Sequence, residues 1–221
     1  VNEDALRHPA SITKVMTLYM LFEQMERGKF ALDSELTISA HAAAQAPSKL
    51  GLRPGQTITV EDAIKAIVTK SANDVACAIG ENIAGSEERF AQMMTAKAHA
   101  LGMSRTRYAN ASGLPDPDQL TTARDLTVLA QAIQDRFPRY YRYFQTRSFA
   151  FRGRVIGNHN HLLGNVQAST DQDRLHPGFR LQPDDRREVR RPPDRGDRAR
   201  RQVRREPRPD HGRPRPVQPA A

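Results

Sequence analysis

Apolar side chains are frequent along this chain as far as Gln167 and scarce after it, and this change in composition limits what the sequence can fold into. The last 54 residues, 168–221, contain only six side chains from leucine, isoleucine, valine, phenylalanine and methionine. A segment so poor in apolar side chains cannot bury enough surface to offset its loss of conformational entropy. We therefore predict one folded domain over residues 1–167 and a disordered Arg/Pro-rich tail over residues 168–221.

Most of the positive charge lies in the same tail. The whole chain has a formal net charge of +9, from 34 basic residues against 25 acids. Residues 168–221 hold 15 arginines and 9 acids, a net of +6, together with 9 of the 15 prolines. The first 167 residues then carry only +3, which is ordinary for a globular domain. Because acids alternate with the arginines and Phe179 is the tail's one aromatic residue, we predict no nucleic-acid partner.

Several classes of protein are excluded by composition. No run approaches the roughly 18 apolar residues that a membrane-spanning helix needs. Cys77 is the only cysteine, so the chain has no internal disulfide and no zinc site built from a cysteine cluster. We expect Cys77 to be a small core residue. The chain begins at Val1, without methionine or a signal segment, and a candidate catalytic motif follows within a dozen residues, so we predict a truncated N-terminus.

The first candidate catalytic pair is Ser11 and Lys14. Apolar residues recur at helical spacing from Ile12 to about Met25, and Pro9 suits the first turn of such a helix. Positions i and i+3 share one helix face, so the serine hydroxyl and the lysine amine can meet. A lysine whose pKa is lowered by burial can take the serine proton and create a nucleophile. A first-turn serine beside a solvated lysine is the alternative interpretation.

The second candidate element is Ser71-Ala72-Asn73, which interrupts a helical pattern. Helical spacing is found on both sides, over residues 61–69 and 75–83. In a functional interpretation, the Ser71 hydroxyl relays protons near Lys14, and Asn73 binds a substrate amide or holds the lysine. In the alternative, Ser71 or Asn73 caps the second helix, which is a common use of both residue types.

The rest of the domain shows short strands and helices. We predict strands at Leu36–Ile38, Thr57–Val60 and Phe149–Ile156, and Thr59 can also cap the next helix. We predict helices over residues 87–101 and after Thr121/Thr122, with a loop over residues 107–118 between them.

Six segments in order resemble the serine D-alanyl-D-alanine carboxypeptidases of peptidase family S11, which are low-molecular-mass penicillin-binding proteins. The segments are His8–Thr17, Leu52–Ile64, Lys70–Ala76, Asn110–Pro115, Thr121–Leu126 and Asn158–Leu163. The resemblance covers about residues 5–167. It implies an α/β (α+β) class with a β-lactamase/transpeptidase-like fold, a sheet with helices packed around it, incomplete in this chain.

The resemblance also implies a role for each candidate residue. Ser11 is expected to be the acyl-enzyme nucleophile, Lys14 its base, and Ser71 with Asn73 the second active-site element, Asn73 on the substrate side. No metal ion and no organic cofactor are implied. The expected substrate is the D-Ala-D-Ala end of peptidoglycan stem peptides, and β-lactams are expected to acylate the same serine.

The expected location is extracytoplasmic, in the periplasm or on the outer face of the cytoplasmic membrane. Peripheral membrane association is a further expectation, through a segment that is not recognisable in this chain.

The family's third motif, Lys-Thr-Gly, is missing. No lysine follows Lys97, and residues 172–175 (Gln-Asp-Arg-Leu) stand where the motif is expected. Residues 171–175 can be coded GAT-CAA-GAC-CGG-CTT, which reads Ile-Lys-Thr-Gly when shifted by one base. We therefore hypothesise a frameshift near residue 168, so that the tail is out-of-frame translation. The alternative is a genuine basic, disordered tail that binds nucleic acid or anionic lipid.

The predicted function is a serine D,D-carboxypeptidase, in this copy weakened or inactive because Lys-Thr-Gly is missing. One alternative is a β-lactamase-related hydrolase, although no loop glutamate followed by Leu-Asn is found. A peptidoglycan endopeptidase would share all the motifs. A non-catalytic protein of the same fold with a basic binding tail is the remaining alternative.

Overall fold

The structure is a computed structural model that describes residues 2–160. Over this range it contains seven α-helices and two antiparallel two-stranded sheets, in agreement with the predicted mixed class. No helix in residues 2–160 is long and apolar enough to cross a membrane. The predicted tail, the position of the missing Lys-Thr-Gly and residues 161–163 of the last family-like segment lie outside the described residues.

The central helix, α1 (Thr13–Glu26), follows a short 3-10 turn at Ala10–Ile12. Nearly all of its residues are buried, which is expected of a helix surrounded by other elements. It packs against three other helices, α4 (Asn73–Ala84), α5 (Glu87–Ala100) and α6 (Ala123–Arg136). The predicted helix to about Met25 is confirmed.

The first sheet pairs β1 (Glu35–Thr37) with β2 (Thr57–Thr59). Leu36 lies opposite Ile58, and both side chains are buried in the core. Between the strands lies a five-residue helix, α2 (Ala40–Ala44), whose N-cap Ser39 accepts a hydrogen bond from the Ala42 amide at 2.9 Å. This helix was not predicted.

Two helices follow on either side of the Ser71 break. The first, α3 (Val60–Lys70), begins where the Thr59 hydroxyl accepts a hydrogen bond from the Asp62 amide, as predicted. It ends at Ser71 in the left-handed conformation, and α4 begins two residues later. The next helix, α5, packs so closely on α4 that a Cβ at Gly80 would lie 2.8 Å from the Phe90 ring.

The second sheet corrects one prediction. Residues 149–156 form a hairpin of β3 (Ser148–Phe151) and β4 (Arg154–Gly157), not one strand. Arg152 and Gly153 have φ of 48° and 75°, which is the backbone of a tight two-residue hairpin turn. Before the hairpin, α6 is capped by Thr122 and is followed by the short α7 (Pro138–Tyr141).

Candidate active site

Ser11 and Lys14 lie at the beginning of the central helix in contrasting environments. Ser11 is exposed in the 3-10 turn, whereas Lys14, in the first turn of α1, is only 3% exposed. The residue before the serine, Ala10, has a φ of +47°, a conformation that costs a non-glycine residue about 1–2 kcal/mol. Such strain persists only where neighbouring residues hold it.

The Lys14 ammonium is buried without a carboxylate partner in the described part of the chain. Its Nζ donates a hydrogen bond to the Ser112 carbonyl at 2.5 Å. Burial lowers the pKa of Lys14 from 10.5 to about 8. At neutral pH the free-amine fraction is then about 300-fold larger than for an ordinary lysine. The site therefore has a base that can accept a proton near neutral pH.

The loop at residues 110–113 positions the carbonyl group that accepts the Lys14 hydrogen bond. The Asn110 side chain accepts hydrogen bonds from the Gly113 amide at 2.7 Å and the Ser112 amide at 3.2 Å. Thr17 on α1 donates to the Ala111 carbonyl at 2.6 Å. The loop thereby presents the Ser112 carbonyl to the lysine.

Gly113 closes this loop on the backbone just before Ser11. A Cβ at Gly113 would lie 1.8 Å from the Ala10 carbonyl oxygen, and its φ is +85°. Only glycine fits such a contact and such a backbone conformation. The loop thus supports the strained residue that precedes the candidate nucleophile.

Ser71 lies at the turn between α3 and α4, again with a left-handed backbone, φ 56° and ψ 42°. Its amide donates to the Ile67 carbonyl at 3.0 Å and so closes the last turn of α3. Its side chain is partly exposed, and no described residue forms a hydrogen bond with its hydroxyl. Among the described non-glycine residues only Ala10, Ser71 and Arg152 have positive φ, so two of the three lie in the candidate site.

Asn73 is 5% exposed and is anchored to the loop before it. Its backbone amide donates to the Ser48 carbonyl at 2.7 Å, and its side-chain Nδ2 donates to the Ala46 carbonyl at 3.1 Å. No described residue donates a hydrogen bond to its Oδ1. Asn73 therefore does not hold Lys14 by a hydrogen bond within residues 2–160.

The fully buried Asp74, which the sequence analysis did not single out, fixes the same loop. Its carboxylate accepts hydrogen bonds from the Leu50 and Gly51 amides, both at 2.9 Å. Ser48 donates to the Lys70 carbonyl at 2.7 Å. Residues 46–51 are thus fastened around the Ser71 turn.

The segment at residues 158–160 lies beside the end of α3. Asn158 Nδ2 donates to the Val68 carbonyl at 3.1 Å and to the Thr146 carbonyl at 2.8 Å. The His159 amide donates to the Thr69 carbonyl at 2.9 Å. The family-like segment that begins at Asn158 therefore lies next to the helix that ends at Ser71.

The two candidate elements are connected by helix packing, since α1 packs against α4, the helix that begins at Asn73. Within the described residues no hydrogen bond joins Lys14 to Ser11, Ser71 or Asn73. The group of side chains offers a hydroxyl nucleophile, a buried amine and an amide, which together suit acyl transfer.

Comparison with known proteins identifies the relatives of this chain. The family model for D-alanyl-D-alanine carboxypeptidase, peptidase family S11, matches residues 1–175. D-alanyl-D-alanine carboxypeptidase DacF of Bacillus subtilis is 36% identical over 132 residues, which are 60% of this chain and 34% of DacF. The chain spans about a third to a half of the length of the curated relatives that it matches.

Solved structures show the same fold. The D-alanyl-D-alanine carboxypeptidase DacD from Francisella tularensis superposes with a TM-score of 0.67 at 32% identity, over 72% of this chain and 38% of that one. Penicillin-binding protein D2 from Listeria monocytogenes, in its cefotaxime-bound form, gives a TM-score of 0.67 at 28% identity, over 75% of this chain and 68% of that one. The predicted transpeptidase-like fold is confirmed.

Proposed function

The chain belongs to the D-alanyl-D-alanine carboxypeptidase family, and from that premise we propose that it is a serine D,D-carboxypeptidase acting through an acyl-enzyme on Ser11. The observation that carries the proposal is Lys14, which is buried, has no carboxylate partner within residues 2–160 and has its pKa lowered to about 8 one helical turn after an exposed serine. A solvated lysine would stay protonated at neutral pH and could not act as a base.

In the first step, the Ser11 hydroxyl attacks the carbonyl carbon of the penultimate D-alanine, and Lys14 takes the hydroxyl proton. The bond to the terminal D-alanine then breaks, and its nitrogen leaves with a proton. Water hydrolyses the resulting ester and frees Ser11. The amide groups at the start of a helix have no intrahelical acceptor, so the amide of Ser11 is suited to receive the oxyanion.

Ser71 and Asn73 complete the proposed machinery. The Ser71 hydroxyl, which has no hydrogen bond to another described residue, relays the proton from Lys14 to the departing nitrogen. Asn73 Oδ1 accepts a hydrogen bond from a substrate amide, since its Nδ2 is already held by the Ala46 carbonyl. The Asp74 clamp on residues 46–51 keeps this amide oriented.

The chain as it stands should turn over slowly, because it lacks Lys-Thr-Gly. In the family resemblance, the strand with this motif supplies an oxyanion donor and binds the substrate carboxylate. Removal of one oxyanion donor typically lowers kcat by about 10²- to 10³-fold. We propose that a frameshift near residue 168, outside the described residues, removed the motif.

The proposed substrate is the D-Ala-D-Ala end of peptidoglycan stem peptides, and β-lactams are the proposed acylating inhibitors. The cefotaxime-bound form of the Listeria relative supports the second point. Because peptidoglycan lies outside the cytoplasmic membrane, the proposed place of action is extracytoplasmic.

The test is D-alanine release from a stem pentapeptide, measured for three proteins: the chain itself, a version whose gene is shifted by one base near codon 168 to restore Lys-Thr-Gly, and the restored version with Ser11→Ala. We expect turnover in the restored protein, a rate at least about 10²-fold lower in the chain itself, and none with Ser11→Ala. Turnover that survives Ser11→Ala would overturn the mechanism. Cleavage of a cross-linked peptide dimer, without D-alanine release from the pentapeptide, would show that the chain is an endopeptidase and not a carboxypeptidase.

A further inference from the structure

A second group of chemically reactive side chains lies where α2 packs against α4. His41 lies on α2, while Cys77 and Glu81 lie one turn apart on α4. Their ligand atoms, an imidazole nitrogen, the thiol sulfur and a carboxylate oxygen, all lie within 4.8 Å of one another. We call these three residues the His41 cluster.

The Glu81 carboxylate supplies an independent indication that the cluster suits a cation. Its Oε2 is buried, and within residues 2–160 no group lies in good hydrogen-bond geometry to it. Buried carboxylate oxygens are nearly always hydrogen-bonded or bound to a cation, because an unpartnered one loses its hydration without compensation. A cation between Glu81 and its neighbours would satisfy this oxygen.

Glu87, the first residue of α5, contacts the cluster through His41. Its Oε2 lies 2.9 Å from His41 Nε2, and its Oε1 accepts a hydrogen bond from the Ala111 amide at 3.0 Å. Carboxylates commonly orient metal-binding histidines in this way. Glu87 therefore positions the His41 ring.

The chemistry of these donors favours zinc over calcium or magnesium. A thiol, an imidazole and a carboxylate give one sulfur, one nitrogen and one oxygen, which suits a borderline ion in tetrahedral geometry with water as the fourth ligand. Calcium and magnesium take oxygen ligands instead. Cys77 is fully buried, so a dication there would also be shielded from water on one side.

We propose that His41, Cys77 and Glu81 form a site for Zn²⁺ or a chemically similar dication, and that Glu87 holds the His41 ring in place. On binding, the Cys77 thiol loses one proton to solvent and its sulfur bonds to the metal, while His41 binds as the neutral imidazole. The Cys77 and Glu81 anions balance the charge of the ion. This site does not depend on the proposed peptidase activity.

Metal binding would connect α2 to elements that position the candidate active site. It would join α2 to α4. Through Glu87 and the Ala111 amide it would also fix residues 110–113, whose Ser112 carbonyl accepts the Lys14 hydrogen bond. The expected role is therefore structural support of the loop that holds the lysine.

The test is a titration of the full chain with Co²⁺, followed in the near ultraviolet for thiolate-to-cobalt charge transfer. Cys77 is the only cysteine, so this band reports on this site alone, whatever the other six histidines bind. We expect the band to grow to one Co²⁺ per chain and to disappear when Zn²⁺ is added. Absence of the band in the folded chain would overturn the proposal.

Substitutions at the other ligands distinguish a metal site formed by the whole cluster from adventitious binding by the thiol alone. His41→Ala alters a side chain that is 58% exposed, so the fold should survive, and it should weaken the cobalt affinity at least about 10-fold. Glu81→Gln should weaken it similarly. The matched control is His99→Ala, an exposed histidine on α5, which should leave the affinity unchanged. An affinity that is insensitive to both His41→Ala and Glu81→Gln would refute the assignment.

Discussion

Gly113→Ala tests the contact that supports the residue before Ser11. The added Cβ would lie 1.8 Å from the Ala10 carbonyl oxygen and 2.4 Å from its carbonyl carbon, so the loop or the helix start must move. The backbone at residue 113 also has a φ of +85°, which alanine adopts only with strain. Two effects therefore add at this position, conformational strain and a steric clash with backbone atoms.

The two effects can be separated with Gly85→Ala. Gly85 ends α4 with the same φ of +85°, and a Cβ there would meet nothing within 4 Å. Gly85→Ala should therefore lower the free energy of unfolding by the backbone strain alone, about 1–2 kcal/mol. Gly113→Ala should lower it by a further 1–3 kcal/mol or so, the usual cost of overpacking.

The assay is urea unfolding of both variants beside the unchanged chain, at equal protein concentration. A difference between the variants near zero would show that Gly113 does not press on Ala10. The rate of penicillin acylation gives a second readout, because a displacement of about 1 Å at a nucleophile can lower the rate about 10²-fold. Gly85→Ala should leave that rate unchanged for the molecules that stay folded.

Other substitutions address the remaining parts of the site. Lys14→Met should lower the acylation rate about 10²- to 10⁴-fold. In the unchanged chain the rate should rise with pH and level off above pH 8, because the pKa of Lys14 is lowered to about 8, and an acylation rate that is flat from pH 6 to 9 would contradict the role of base. Because the pKa of Lys14 is lower in the folded chain, the unfolded chain binds more protons between pH 8 and about 10.5. Lys14 should therefore make the folded state more stable as pH rises through that window. Lys14→Met should remove this gain in stability, as measured by urea unfolding at several pH values. Asp74→Asn should cost about 1–3 kcal/mol of unfolding free energy, because an amide group would face the Leu50 or Gly51 amide, whereas the exposed Asp33→Asn should change little.

Local spacing in the sequence was enough to predict the helix that carries Lys14, with Ser11 at its beginning, and the turn at Ser71. Both features depend on neighbours within one or two turns of the chain, and Thr59 and Thr122 were recognisable as caps for the same reason. The burial of Lys14 under Ser112 joins residues 98 positions apart, and periodicity carries no information about such a contact. The support of Ala10 by Gly113 was missed for the same reason, although the Asn-Ala-Ser-Gly run is typical of a turn.

The hairpin at residues 148–157 shows a different limit. Alternation of apolar and polar residues continues across a two-residue turn, so the two strands resemble one. Arg152-Gly153 is also not among the dipeptides that most strongly indicate such a turn. The His41 cluster could not be predicted from spacing, because its side chains come from two different helices, α2 and α4.

The central claim, that Ser11 is an acylated nucleophile, is tested most directly by mass spectrometry after long incubation with benzylpenicillin at pH 8. Trypsin cuts after Arg7 and Lys14, so residues 8–14 form one peptide with Ser11 as its only serine. The account predicts one penicilloyl group on this peptide, formed slowly in the chain itself and faster in the version with Lys-Thr-Gly restored, and none with Ser11→Ala. A folded, restored protein that carries no adduct on residues 8–14, or carries it on another peptide, would contradict the account.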